Sequence, residues 1–254
     1  MARIAHLSDL HFGEEDAAQT RELAEDIRAQ ALDAVVVSGD LTRRATRGEF
    51  AAASQFLEAL GAPLLVVPGN HDIPRYDLYD RFFHPRRRWL AARPAAYQDL
   101  LELEGLRLIG LDSVSRAQWH LDWAAGAISD ARRARLAEAL ARPAEGATVL
   151  VCHHPLRHPP WAQARRAPRN AELTISLLQA NDVAAVLCGH LHRPEITELG
   201  PAGPLQIVAP SALSPRGDGR PNGWVLMTAG PGGLDITLRE WREGAWSSRA
   251  MASG

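Results

Sequence analysis

Short runs of valine, isoleucine, leucine and alanine recur along this chain, and the longer stretches between them return an apolar residue every third or fourth position. Compact apolar runs bounded by glycine, proline or aspartate read as strands, and the periodic stretches as helices laid over them. Strands are predicted near residues 3–7, 34–37, 64–67, 106–111, 148–152 and 184–188, and helices near 17–30, 48–60, 130–141 and 171–180. Alternation in this order makes the first part of the chain α/β.

After residue 192 the pattern changes. Strand-like pieces at 195–199, 205–208, 224–228 and 234–241 follow one another with turn residues and no helix between them. A second, largely antiparallel sheet packed on the first would accommodate these pieces. Residues 1–246 are expected to form a single domain and 247–254 a frayed tail.

Composition narrows the function classes. The 46% of hydrophobic residues in a chain of 254 is enough for a sizeable core. With a formal net charge of −2, no global positive field draws the chain onto nucleic acid or an anionic surface, so no stable nucleic-acid complex is expected. The sequence holds no lysine, which removes P-loop, Schiff-base and kinase-lysine chemistry together. No apolar run approaches the length that crosses a bilayer, and membrane insertion is not expected. The first residues lead into a strand-like segment rather than a secretory signal, and Cys152 and Cys188 suit a reducing compartment, so a cytoplasmic location is expected. Both cysteines read as small buried packing residues.

The chemistry sits where the strands end. The first predicted strand runs into Asp9 and His11 (SDLH), the second into Asp40 (SGD) and the third into Asn70, His71 and Asp72 (PGNHD). The fifth runs into His153 and His154 (CHHP), and the sixth into His190 and His192 (GHLH). Ligand sites of parallel sheets gather beyond the carboxyl ends of the strands, so these residues should share one crevice. Gly39, Gly69 and Gly189 stand immediately before key members, where a missing side chain lets the backbone turn sharply or approach an ion. A lone histidine or aspartate at a strand end is usually a turn or capping residue; the weight lies in the joint arrangement. Several carboxylates and imidazoles buried together without a cation would be unfavourable by on the order of several kcal/mol. Mixed oxygen and nitrogen donors suit zinc, manganese or iron.

The ordered blocks DxH, GDxx, GNHD, HHP and GHxH, spread from Asp9 to His192, resemble those of the calcineurin-like metallophosphoesterases. The GNHDIP spacing, the compact length and the late PNGW segment look most like the bacterial class III cyclic-nucleotide phosphodiesterases. The resemblance implies an α/β (α+β) fold, a four-layer αββα sandwich of two mixed sheets flanked by helices. It implies two divalent or mixed-valence metal ions (Mn, Fe or Zn), one held by Asp9, His11, Asp40 and His192 and the other by Asp40, Asn70, His153 and His190. His153 is taken over His154 because the first histidine of that segment is the usual ligand. Two cations about 3.5–4 Å apart polarise one bridging water and stabilise charge on phosphoryl oxygens. The resemblance puts His71 outside the metal shell as a catalytic proton or hydrogen-bond donor on the leaving-group side. Asp72 either orients His71 or is a turn residue. The activity implied is in-line hydrolysis of a small-molecule phosphodiester, with 3′,5′-cyclic nucleotides among the candidates.

Arg75 and His154 are candidate substrate-binding residues, Arg75 through its planar donor fork or else simply a surface residue. The arginine runs at 86–88 and 165–169, the latter beside Trp161, either line the mouth of the site or form solvated faces. His6 reads as a core histidine and Asp112 as a supporting one. Two other enzymes of the same fold compete: a lipid-precursor pyrophosphatase, which needs an apolar groove, and a double-strand-break repair type of nuclease, which needs a basic track. A non-catalytic interaction scaffold should lack a ligand or the GNHD histidine, and here all are present. Oligomeric state is not legible.

Overall fold

The computed structural model describes residues 1–94, 96–116, 124–214 and 219–251. In chain order the first elements are β1 (Ala2–Leu7), α1 (Ala17–Arg28), β2 (Ala34–Val37), α2 (Arg47–Ala59), β3 (Leu64–Val66) and a 3-10 turn (Asn70–Asp72). There follow α3 (Leu78–Phe83), α4 (Arg87–Ala91), β4 (Tyr97–Gln98), β5 (Leu100–Leu103), β6 (Leu106–Gly110), α5 (Asp130–Leu140) and β7 (Ala147–Val151). A second 3-10 turn (Pro160–Ala162) and α6 (Ala171–Gln179) precede β8 (Ala185–Cys188), β9 (Glu195–Glu198), β10 (Leu205–Val208), β11 (Gly223–Gly230), β12 (Gly233–Arg242) and β13 (Ala245–Ala250).

One sheet is ordered β13-β12-β11-β1-β2-β3-β4 and the other β5-β6-β7-β8-β10-β9. Both are mixed: β1 to β4 are parallel, as are β6, β7, β8 and β10, while β11 to β13 and the edge strands β5 and β9 pair antiparallel. Alternation along the strands turns two sheets into three apolar layers. Ile4, Ala34, Val36 and Leu65 face Leu108, Val149, Leu187 and Ile207 between the sheets. Ala5, Leu7, Val35 and Val37 face outward onto Leu23 and Ile27 of α1 and Phe50, Phe56 and Leu57 of α2. Leu150 and Val186 face outward onto Leu136 of α5 and Ile175 and Leu178 of α6. The result is the four-layer sandwich. Strands buried on both faces carry continuous apolar runs, which is why the run at 34–37 is so plain. Asp16 caps α1, a Thr46–Glu49 capping box starts α2, and Ser129 caps α5, so these helices begin where the sequence says they should.

The strands after residue 192 do not form a sheet of their own. β9 and β10 join the second sheet, and β11 to β13 join the first. β11 is apolar on both faces, with Val225 and Met227 between the sheets and Trp224 outward. Such a strand is stable only inside a sheet, and the crossovers through α1 and α2 leave one edge of β1 open for it. Buried Trp224 donates Nε1–H to Asp26 of α1 at 3.0 Å, and Arg239 of β12 pairs with the same carboxylate, locking the added strands to the helix layer. The expected frayed tail is β13 through Ala250, paired with β12; residues 252–254 lie outside the described residues. As an exposed edge strand it carries Ser247, Ser248 and Arg249 and no apolar alternation. No helix among the described residues is long and apolar enough to cross a membrane.

His6 on β1 is the core histidine expected. It is fully buried, its Nε2 lies 2.9 Å from Ser38 Oγ, and burial pushes its pKa down to about 3. The unfolded chain takes this proton near pH ~6.5, so stability is complete above that value and is lost as pH falls towards 3. Urea titrations of the metal-free protein between pH 7 and pH 4 are expected to show a stability slope that is shallower in His6→Gln, by roughly 1 kcal/mol per pH unit. Equal slopes in the two proteins would remove His6 from the acid response.

Candidate metal centre

The carboxyl ends of β1, β2, β3, β7 and β8 open on one rim, and the predicted residues sit in the loops that leave them. Each loop must fold its side chain back over the sheet within a residue or two. The backbone does this through left-handed turns: Asp9, His11, Asp40, His190 and His192 all have φ between 49° and 68°. A residue with a Cβ pays about 1–2 kcal/mol there, a strain typical of sites that the surrounding structure over-determines. Two glycines let the loops touch. A Cβ on Gly69 would lie 2.1 Å from Asp40 Oδ1, and one on Gly189 would lie 1.7 Å from Ser8 Oγ.

Two sets of donor atoms meet at Asp40. In the first, Asp9 Oδ1 lies 3.0 Å from His192 Nε2 and 3.7 Å from His11 Nε2, and the two Nε2 atoms are 3.4 Å apart. In the second, Asn70 Oδ1 lies 3.1 Å from His153 Nε2 and 3.0 Å from His190 Nδ1. Asp40 Oδ2 is 3.8 Å from His11 Nε2 and 3.4 Å from His153 Nε2, so it belongs to both. Ligands about 2.1 Å from a common ion stand roughly 3.0–3.4 Å from one another in octahedral or tetrahedral geometry, which is close to this spacing.

The second oxygen of each carboxylate is tied back by the protein. Asp9 Oδ2 accepts from Ser8 Oγ at 2.6 Å and from the His190 amide at 2.9 Å, and Asp40 Oδ1 accepts from the His71 amide at 2.7 Å. His153 Nδ1 donates to the Ser38 carbonyl at 2.8 Å, which fixes the ring with Nε2 directed at Asp40 and Asn70. Burial pushes both carboxylates up, but neighbouring imidazoles outweigh it: His192 and His11 hold Asp9, and His153 and His71 hold Asp40, well below the ordinary carboxylate range. Burial pushes His153 down, and Asp40 outweighs it to raise that imidazole to about 9. The cluster therefore gathers positive charge onto itself. Asp9 Oδ1 is buried and has no aligned hydrogen-bond partner, its approach to His192 included. The donor set fits divalent cations.

Above the cluster lies a cleft of about 360 Å³, with Asp40, Asn70, His71, His190 and His192 at its floor and Trp161, Arg165, Arg193 and Arg220 at its mouth. His71 enters it with its ring fixed, since Nδ1 donates to the Arg43 carbonyl at 2.8 Å and the ring meets His11 edge-on at 4.8 Å. The Asp72 carboxylate faces the neighbouring backbone. Its buried carboxylate accepts from the amides of Gly69, Leu41 and Thr42 at 2.9, 3.2 and 3.0 Å and from Thr42 Oγ1 at 3.0 Å, clamping the turns after β2 and β3. Burial and the charge of Asp40 push it up to about 6 against those hydrogen bonds. These contacts are those of a turn residue, one of the two roles expected for it.

The family model for calcineurin-like phosphoesterases matches residues 2–194. The chain belongs to that family. Calcineurin-like phosphoesterases depend on dinuclear metal centres, and the strand-end cluster is the candidate for one here. A cAMP/cGMP dual specificity phosphodiesterase from Mycobacterium tuberculosis is 33% identical over 211 residues, 74% of this chain and 61% of that protein. The chain thus spans less than two thirds of that relative's length. A glycerophosphodiester phosphodiesterase from Enterobacter lignolyticus is 27% identical over 210 residues, 77% of this chain and 72% of the relative. Among solved structures, purple acid phosphatase PPD1 from yellow lupin (Lupinus luteus) seeds covers 99% of this chain and 54% of its own, with a TM-score of 0.67 at 15% identity, a likeness of fold alone.

Within this calcineurin-like phosphoesterase, Asp9, His11, Asp40, Asn70, His71, His153, His190 and His192 converge as the strand-end rule requires. Of the other candidates, His154 lies against this cluster, its ring centroid 4.8 Å from those of His153 and His190. It is buried with both ring nitrogens engaged, Nδ1 with Ser113 Oγ and Nε2 donating to the Ala124 carbonyl, each at 2.8 Å, and it does not line the cleft. Arg75 stands outside the cleft, 5.7 Å from the Tyr76 ring. The run at 86–88 is spent on internal pairs, Arg86 with Asp112 and Arg87 and Arg88 with Asp80. Asp112 also takes Arg132 at 2.8 Å, which makes it a structural node. Of the run at 165–169 only Arg165 lines the cleft, and Arg193 and Arg220 were not anticipated. Position offered one signal for Arg193, which directly follows the GHLH block. Cys152 and Cys188 are free and buried, as packing residues should be.

Proposed function

We propose that the chain hydrolyses a small phosphodiester, with two divalent cations held by its strand-end donors. Asp9, His11 and His192 would hold one ion and Asn70, His153 and His190 the other, with Asp40 shared. The main support is the meeting of both donor sets at Asp40 Oδ2, directly below a cleft that His71 enters. Manganese, iron and zinc all suit mixed imidazole, amide and carboxylate ligands. Cations bound there supply Lewis acidity toward the phosphoryl oxygens and lower the pKa of an attacking water.

The chain's own residues do the rest. Ser8 and the amides of His190 and His71 hold one oxygen of each carboxylate, so the other keeps its aim. The Arg43 carbonyl holds the His71 Nδ1 proton, and the imidazolium form donates from Nε2 to the leaving oxygen. A diester is favoured over a monoester because the relatives named above are phosphodiesterases of cyclic nucleotides and of glycerophosphodiesters. Two buried free thiols accord with a cytoplasmic location.

Chelator-treated protein is expected to be inert towards bis(4-nitrophenyl) phosphate. Adding manganese, iron or zinc should restore turnover, with about two ions per chain by elemental analysis at saturation. Cyclic AMP, glycerophosphocholine and plasmid DNA assayed in parallel separate cyclic-nucleotide, glycerophosphodiester and nuclease activity. Full activity after chelation, or saturation at a single ion, would overturn the proposal.

A further inference from the structure

We infer that the mouth of the cleft selects diesters carrying a second phosphate, which Arg165, Arg193 and Arg220 bind while the scissile phosphate lies over the metal centre. This rests on the phosphodiesterase proposal above. Several arginines elsewhere in the fold pair with carboxylates, Arg86 with Asp112, Arg88 with Asp80, Arg107 with Glu102 and Arg239 with Asp26, while others such as Arg44, Arg47 and Arg166 are exposed on the surface, outside this cleft. The cleft-mouth arginines, Arg165, Arg193 and Arg220, have no ion-pair partner among the described residues, and they line one cleft. In a protein of net charge −2, such a cluster is not the overflow of a basic surface. Like charges gathered without a counter-ion repel one another, so the arrangement is favourable when an anion occupies it.

The mouth is also built to hold its shape. Arg193 lies over the Trp161 ring, its guanidinium carbon 4.6 Å from the centroid. Trp161 is fixed in turn by donating Nε1–H to Glu195 Oε2 at 3.1 Å. Stacking occupies the face of a guanidinium and leaves its edge donors free for a bidentate oxyanion contact. His158 Nδ1 lies 3.2 Å from the Ala162 carbonyl and 3.1 Å from that of Arg165, which pins the loop carrying Trp161 and Arg165. Charge accounting sets the substrate class. A diester phosphate is a monoanion, and two divalent cations exceed the charge of Asp9 and Asp40, so the floor alone meets it. Three further cations at the mouth call for a phosphate beyond the scissile one.

The matched probes are the dinucleotides ApA and 5′-phosphorylated pApA, which share one diester and differ by the terminal phosphate. Calorimetric titration of the chelator-treated protein, where no turnover intervenes, is expected to give pApA at least tenfold tighter binding than ApA. That preference should fall to about threefold or less in Arg165→Ala/Arg193→Ala. Arg193→Lys, which keeps the charge and the fold but not the planar fork, should give an intermediate preference. With metal restored, the ratio of kcat/KM for pApA over ApA should follow the same order. Equal binding of the two probes by the wild type, weak or strong, overturns the inference, as does a preference that survives the double substitution. Should bis(4-nitrophenyl) phosphate be hydrolysed while the probes bind alike, the phosphodiesterase proposal stands and the arginine site falls. The converse result, selective binding without turnover of any diester, removes the proposed reaction and keeps the site.

Discussion

Asp40→Ala is expected to empty both halves of the centre at once. Among the clustered side chains, Asp40 Oδ2 faces an imidazole from each set, His11 at 3.8 Å and His153 at 3.4 Å, so no other single substitution removes a donor common to both. Turnover of a phosphodiester should fall by on the order of 10³-fold or more, beyond the 10–100-fold typical of a residue that only supports a ligand. Metal content should drop below one ion per chain at micromolar metal. Loss of binding has a thermodynamic partner: ions bound only by the folded state raise its stability by RT ln(1 + [L]/Kd), so the gap in Tm between loaded and metal-free protein should nearly vanish in the variant. Asp40→Asn separates charge from shape. It keeps an oxygen and loses the anion, and so should retain part of the metal affinity. Two ions per chain in Asp40→Ala would sink the ligand assignment.

The sandwich was legible wherever burial is two-sided or a helix returns an apolar residue to one face. β2 shows as four consecutive apolar residues because Ala34 and Val36 face one layer and Val35 and Val37 another. α2 shows because Phe50, Ala53 and Leu57 recur along one face; its Thr46–Glu49 capping box emerged only with the structure. Partner choice among strands was less legible. β11 and β10 both read as strands, yet one joins the first sheet antiparallel and the other the second sheet parallel. Edge vacancy and the Trp224–Asp26 contact across 198 residues decide that, and neither leaves a local pattern. α3 and α4 are too short to display a helical period, and β13 is too exposed to display alternation.

The candidate site divides along the same line. Side chains that point at one another from strand ends follow from topology, and Asp9, Asp40, Asn70, His153 and His190 were found that way. Groups that act through the main chain were not. The Ser38 carbonyl orients the His153 ring, and the Arg43 carbonyl fixes His71; a carbonyl has no residue type to recognise. Asp72 and His154 carry the right chemistry in the right motif but do not line the cleft, their buried polar atoms being satisfied by Thr42, Gly69, Ser113 and Ala124. Arg75 and Arg193 each follow a motif closely, and only the turn of the chain separates them.

His71→Ala should leave the metals in place and remove the proton donor. The contact between this residue and Asp40 runs from the backbone amide at 2.7 Å, which alanine retains, so the shared carboxylate keeps its position. The lost imidazole is the group whose Nδ1 is anchored on Arg43 and whose other nitrogen is left for the cleft. A missing general acid lowers turnover by about 10²–10⁴-fold, and the loss depends on how badly the leaving oxygen needs a proton. A dinucleotide departs as an alkoxide and should show the full loss. Bis(4-nitrophenyl) phosphate departs as a stabilised phenolate and should lose about tenfold or less. Elemental analysis at two ions per chain, with a loss that differs between the substrates, identifies proton delivery at the leaving oxygen. An equal loss on both would move His71 away from the leaving group, since a residue that merely shapes the cleft or binds the phosphoryl oxygens cannot tell an alkoxide from a phenolate.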